Sequence, residues 1–132
     1  MAVSIQTTLS TALVVDDDVF IQAIARRLLL NLGFTQCEAA LDGVEGLRLF
    51  AEMARPPDLI ICDVFMPEKD GIEFVKALEK LHFQGQLILM SGVDGLVMTI
   101  AENLAVAAGI HVAAKIIKPL TQEKLMQAVR PG

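Results

Sequence analysis

A chain of 132 residues with 54% hydrophobic content can bury one core and is too short for two. Its formal net charge of −5 excludes the basic surface on which direct nucleic-acid binding depends, and no apolar run reaches the roughly 18 residues of a membrane span. Met1 to Ser10 carry neither a basic start nor an apolar stretch of the signal type, so a soluble, cytoplasmic protein is expected.

Short apolar runs alternate with segments of helical spacing five times, the signature of a parallel sheet covered on both faces. Strands are expected near 11–15, 35–40, 58–62, 86–90 and 112–117. Residues 1–10 read as an N-terminal extension, 11–130 as the domain, and 131–132 as the start of a linker. The first strand, Leu13-Val14-Val15, runs straight into Asp16-Asp17-Asp18. Asp18 is placed to cap the helix that follows, which carries Ile21, Ile24, Leu28 and Leu32 at helical spacing and stops at Gly33. After the second strand, Asp42-Gly43 reads as turn and cap chemistry. The second helix spans about Val44 to Met53, ahead of Pro56-Pro57.

The third strand ends the run Asp58-Leu59-Ile60-Ile61-Cys62 at Asp63, with the turn Val64-Phe65-Met66-Pro67 beyond it. Asp70 is placed to cap a third helix that turns Phe74, Val75, Leu78 and Leu81 inward and Lys76, Glu79 and Lys80 to water. The fourth strand is followed by Ser91. A fourth helix, about Gly95 to Ala108, has Thr99, Glu102 and Asn103 as almost its only polar positions. Such a helix is packed on two faces or leaves an apolar patch. The fifth strand closes on Lys118. Thr121 can cap the last helix, and Arg130-Pro131-Gly132 ends the pattern. Cys37 and Cys62 read as small core residues, since neither lies in a metal-thiolate motif. His82 and His111 lie far from the acidic motifs and receive no phosphotransfer role.

Parallel strands place Asp16, Asp17, Asp63, Ser91 and Lys118 at carboxyl ends, along the one edge where open α/β sheets build ligand sites. Gathered carboxylates repel one another, and a hard divalent cation, Mg2+, relieves that repulsion. A hydroxyl and an ammonium facing them are the equipment for holding a phosphoryl group, with Asp63 as nucleophile.

The stretches Val14-Val15-Asp16-Asp17-Asp18, Leu41-Asp42-Gly43-Val44-Glu45-Gly46, Ile61-Cys62-Asp63-Val64-Phe65-Met66-Pro67, Met90-Ser91-Gly92 and Lys118-Pro119-Leu120-Thr121 together resemble the receiver domain of two-component response regulators. That resemblance implies a flavodoxin-like, doubly wound α/β fold: a five-stranded parallel sheet in the order 2-1-3-4-5 with five helices. It also implies a phosphoacceptor signalling domain and no enzyme within this chain. Asp63 would be the phosphoacceptor, Asp17 a direct Mg2+ ligand, Asp16 a ligand through water, and Phe65 a ligand through its backbone carbonyl. Lys118 would pair with Asp63 or its phosphate, Ser91 would move toward the phosphate, and the Lys118-Pro119 bond would be cis. The implied partners are a sensor histidine kinase or histidine phosphotransfer protein, and a second subunit or effector domain met through the fourth helix.

This chain departs from the family pattern at several points. Lys115 stands where most receivers carry an aromatic switch, and there is no Tyr or Trp at all. The step of 27 positions from Ser91 to Lys118 is longer than usual by about one helical turn, and the extra length is expected in the fourth helix. The charged residues with which many DNA-binding regulators pair this face are missing between Gly95 and Arg130. The Ser91-Gly92 start, Ala-rich fourth helix and Lys118-Pro119 finish resemble receivers attached to EAL-type cyclic-di-GMP phosphodiesterases. Two other readings compete. The first is a pseudo-receiver that binds partners without being phosphorylated. The second is a haloacid-dehalogenase-type phosphatase, whose start Asp16-Asp17-Asp18-Val19-Phe20 imitates, although Glu123 is the only acid after Lys118 and the chain is short for that fold.

Overall fold

A computed structural model describes residues 11–65, 71–93 and 95–129. Strand and helix alternate from β1 (Thr11–Val15) and α1 (Val19–Asn31) through β2 (Gln36–Ala40), α2 (Gly43–Glu52), β3 (Leu59–Asp63) and α3 (Gly71–Lys80). The chain continues with β4 (Gln86–Ser91), α4 (Leu96–Ala107), β5 (His111–Ile117) and α5 (Gln122–Val129). All strand pairs are parallel, in the order β2-β1-β3-β4-β5. The flavodoxin-like fold expected from the sequence is therefore present. The expected Asp70 cap, the Met66-Pro67 turn, the N-terminal extension and the Arg130-Pro131-Gly132 ending lie outside the described residues.

Strands buried on both faces alternate their side chains between two cores. Leu13, Val15, Ile60, Cys62, Leu87 and Leu89 pack on one face against Phe74, Val75 and Leu78 of α3 and Met98, Ala101 and Ala105 of α4. Ala12, Val14, Leu59, Ile61, Ile88 and Met90 face Ala25 and Leu29 of α1 and Leu125 and Val129 of α5. Burying each Leu or Ile stabilises the fold by about 1.5 to 3 kcal/mol before chain entropy is counted. Both cysteines are buried, as expected.

Helix boundaries follow local chemistry. The Asp18 carboxylate accepts from Phe20 N at 2.8 Å, Asp42 from Glu45 N at 2.8 Å, and Thr121 Oγ1 from Lys124 N at 3.2 Å, so the three expected caps among the described residues are made. Gly33, at φ 105°, stops α1 in a left-handed conformation open to glycine.

Several expectations need correcting. Ile24 is 45% exposed, and the deepest residues of α1 are Ala25 and Leu29, because the helix lays its smaller side chain against the sheet. Leu81 is 43% exposed, since α3 ends at Lys80 and the next two residues turn out of it through His82 at φ 56°. His82 and His111 are both exposed. The β4–β5 register shifts after Leu87↔Val112 to Ile88↔Ala114, so Ala113 is skipped in the pairing. Such a shift rephases every residue beyond it and sets where Lys118 emerges.

Candidate functional site

The register brings the strand ends together. Val15 pairs with both Ala40 and Cys62, Asp63 with Met90, and Ser91 with Ile117. Asp16 and Lys118 therefore each begin one residue beyond a paired strand end. Lys118 N donates to Ser91 O at 2.8 Å and Asp16 N to Ala40 O at 3.0 Å, so the ladder anchors both backbones before they leave the sheet. The Lys118-Pro119 bond is cis, as the resemblance implies.

All five sequence-predicted side chains line this edge, in different surroundings. Asp16, Asp63 and Ser91 are buried, while Asp17 is exposed. Lys118 Nζ reaches 3.0 Å from Asp16 Oδ2 and 3.1 Å from Asp63 Oδ2, bridging the two buried carboxylates. Their other oxygens are held by backbone, Asp16 Oδ1 by Asp18 N and Asp63 Oδ1 by Phe65 N, both at 2.9 Å. The Ser91 hydroxyl oxygen accepts from Val93 N at 3.2 Å, which leaves its own O–H available as a donor. A cleft of about 620 Å³ opens over the group, walled by Val19, Phe20, Phe65 and Gly92.

Ligand atoms of Asp16, Asp17 and Asp63 all lie within 4.8 Å of one another. Among the described residues, the single Lys118 ammonium set against three carboxylates leaves the group short of positive charge. Asp16 Oδ2, although ion-paired, accepts no well-aligned hydrogen bond and is buried with lone-pair capacity to spare. An all-oxygen donor set with excess negative charge fits a hard divalent cation such as Mg2+.

The titration behaviour agrees. Burial pushes the Asp16 carboxyl above its ordinary 3.8, aided by the charge of Asp63; the Asp18 N–H and Lys118 oppose that rise without cancelling it. Burial alone would lower Lys118, but its contacts with Asp16 and Asp63 outweigh burial and leave the ammonium above its ordinary value. In the window above 3.8 the folded chain thus holds more of the Asp16 proton than the unfolded chain, so this group's contribution to stability falls as pH rises through it. In metal-free buffer Asp16→Asn should therefore unfold at a higher temperature than the parent, with a larger gap at about pH 7 than at about pH 4. Thermal scans of both proteins at the two values test this; a gap that shrinks with rising pH would refute it.

A family model described as the response regulator receiver domain matches residues 12–130. The chain belongs to that family. Among curated relatives, a probable C4-dicarboxylate response regulator, DctR of Bacillus subtilis (strain 168), is 30% identical over 118 residues, covering 89% of this chain and 49% of DctR. The chain thus spans about half the length of that relative. The chemotaxis protein CheY of the same organism is also 30% identical, over 119 residues, covering 89% of this chain and 92% of CheY. Among solved structures, Vibrio cholerae chemotaxis protein CheY4 superposes with a TM-score of 0.76 at 26% identity, covering 92% of this chain and 97% of CheY4. A receiver domain signals and is not itself an enzyme, so the phosphatase reading has no support. Among the described residues, no helix is long and apolar enough to cross a membrane.

Three features of the receiver escaped sequence reasoning. Gln22 Nε2 donates to Asp16 O and Ala40 O, both at 2.9 Å. Lys124 Nζ donates to Ile117 O at 2.9 Å and Pro119 O at 3.0 Å, bracing the turn that presents Lys118. Lys115 pairs with Glu102 of α4 at 2.9 Å. Each joins residues distant in sequence or depends on side-chain reach, and no local motif marks them.

Proposed function

We propose that this receiver accepts a phosphoryl group on Asp63 from a histidine kinase or histidine phosphotransfer protein, in a reaction that needs Mg2+. The observation that carries this reading is the Lys118 bridge: one ammonium within 3.1 Å of both buried carboxylates, beside a three-aspartate cluster. An oxygen of Asp63 attacks phosphorus and forms an acyl phosphate. The N–P bond of the phosphohistidine breaks, and its electron pair returns to the imidazole nitrogen, so that a phosphohistidine protonated on its other ring nitrogen leaves as neutral imidazole. Lys118, already pointed at Asp63, stabilises the negative charge of the transferring oxygens, and the Ser91 O–H is the second donor. Asp16, Asp17, Asp63 and the Phe65 backbone carbonyl would hold the ion, whose charge neutralises the phosphoryl oxygens. Intact-mass measurement with a small-molecule phosphodonor tests the reading: a single phosphoryl should be taken up with Mg2+ and none after chelation. Uptake indifferent to Mg2+ would overturn it, and no uptake at all would favour the pseudo-receiver.

The output side of the proposal rests on α4. Leu96 is 73%, Val106 61% and Ile100 38% exposed. Leu104 is partly buried and packs on the core. A partner subunit or attached effector domain would cover Leu96, Ile100 and Val106, at roughly 1.5 to 3 kcal/mol for each side chain fully buried. Phosphorylation would reach this face through Ser91 and a shift of α4. Replacing any of the three by Glu should weaken self-association or effector control and leave phosphoryl uptake at Asp63 intact. Sedimentation alongside phosphorylation assays reads both effects; unchanged association and control in all three variants would remove α4 from the output surface.

A further inference from the structure

Gln22 lies one turn into α1 and touches the acidic loop at two points and the end of β2 at a third. Its backbone N–H donates to Asp18 O at 3.0 Å. Its side-chain nitrogen donates to Asp16 O and to Ala40 O, both at 2.9 Å. A primary amide has two N–H donors on that nitrogen, and here both are used, on two carbonyls. Because both partners can only accept, the orientation of the amide is fixed by its surroundings.

The position of these carbonyls gives the contact its meaning. The last β1–β2 pair is Val15↔Ala40, and Asp16 N donates to Ala40 O one step further on. Past this point β2 leaves for the Asp42 cap of α2, so the Asp16 carbonyl has come to the end of the ladder that would have held it. Gln22 supplies the donor. The Asp16 carbonyl belongs to the peptide joining Asp16 to Asp17, so its direction sets the backbone angles from which both carboxylates project. Two of the three clustered acids are thus aimed from one peptide plane.

We propose that Gln22 is a positioning residue for cation binding: by clamping the Asp16–Asp17 peptide against the end of β2, it holds both carboxylates converged on one ion. It touches neither the ion nor the phosphoryl group. The inference rests on the Mg2+-dependent reading of the site given above. Groups that orient metal ligands without binding the metal typically change affinity by about 10- to 100-fold when removed.

Gln22→Met keeps the length and removes the donors. Since the chain has no Trp or Tyr, Mg2+ binding is followed by titration calorimetry, together with the Mg2+ concentration that half-saturates phosphoryl uptake. The Kd for Mg2+ and the half-saturating concentration should both rise about tenfold in the Met variant, while the uptake rate at saturating Mg2+ stays within about twofold of the parent. Gln22→Arg, which restores donors, should recover most of the affinity. A Met variant that is less heat-stable yet binds Mg2+ like the parent would show a merely structural contact and overturn the proposal. So would an Arg variant no better than Met. If the Met variant fails to fold, the Gln22 side-chain amide resonances of the parent protein decide: they should shift on adding Mg2+, and their indifference overturns the proposal. A parent protein that binds no Mg2+ would instead defeat the reading of the site itself.

Discussion

Asp63→Asn should abolish phosphoryl uptake altogether. The amide has nearly the shape of the carboxylate and could keep the hydrogen bond from Phe65 N, so the fold and the cleft should survive. What disappears is the anionic oxygen that attacks phosphorus, and a neutral amide is no nucleophile at neutral pH. Lys118 would lose one of its two carboxylate partners and keep the other, Asp16, at 3.0 Å. Intact mass after incubation with Mg2+ and phosphodonor should show no adduct on the variant where the parent gains one. An undiminished adduct would assign the acceptor elsewhere. Asp17→Asn is the informative companion, because it keeps the nucleophile and removes an exposed member of the cluster. It should raise the Mg2+ requirement and still permit uptake at high Mg2+, which separates loss of the acceptor from loss of the ion.

The sequence revealed this edge because a strand buried on both faces reads as an unbroken apolar run, and the first polar residue after it marks the strand's carboxyl end. Asp16, Asp63, Ser91 and Lys118 were all found in that way, and parallel pairing then had to place them together. The same rule fails where apolar residues surround a helix. In α1 the spacing singled out Ile21, Ile24, Leu28 and Leu32 and passed over the deepest positions, Ala25 and Leu29, since all six are apolar and only packing distinguishes them. Leu81 was misread because the turn after α3 carries no glycine; His82 occupies the left-handed position instead. The register shift at Ala113 has no Gly or Pro to announce it in His111-Val112-Ala113-Ala114-Lys115. Interactions made by reach across elements, such as Gln22 to Ala40 or Lys115 to Glu102, leave no spacing signal. The acidic edge is therefore legible as a set of strand ends, whereas the braces that hold it require the fold.

Gly71→Ala should be the most damaging single methyl in the domain among the positions that bear on the site. A Cβ built on Gly71 would lie 2.5 Å from Val64 Cα and 3.0 Å from Asp63 O. Both obstacles are backbone, so no rotamer change can relieve them. Gly71 N also donates to Val64 O at 3.2 Å, which holds the start of α3 against the segment leaving β3. To admit the methyl, either α3 must withdraw from the core that Phe74, Val75 and Leu78 fill, or the backbone at Asp63 must move. The first loses packing and the second displaces Asp63. A cost of about 3 kcal/mol or more is expected, lowering Tm by roughly 10 °C, together with slower phosphoryl uptake. Gly95→Ala is the matching control, because a Cβ there meets nothing within 4 Å and the residue already has extended backbone at φ −170°. Thermal melts of the two variants beside the parent provide the test. A Gly71→Ala protein as stable as the Gly95→Ala control would mean that the start of α3 yields freely, and that its close approach does not help fix Asp63 in place.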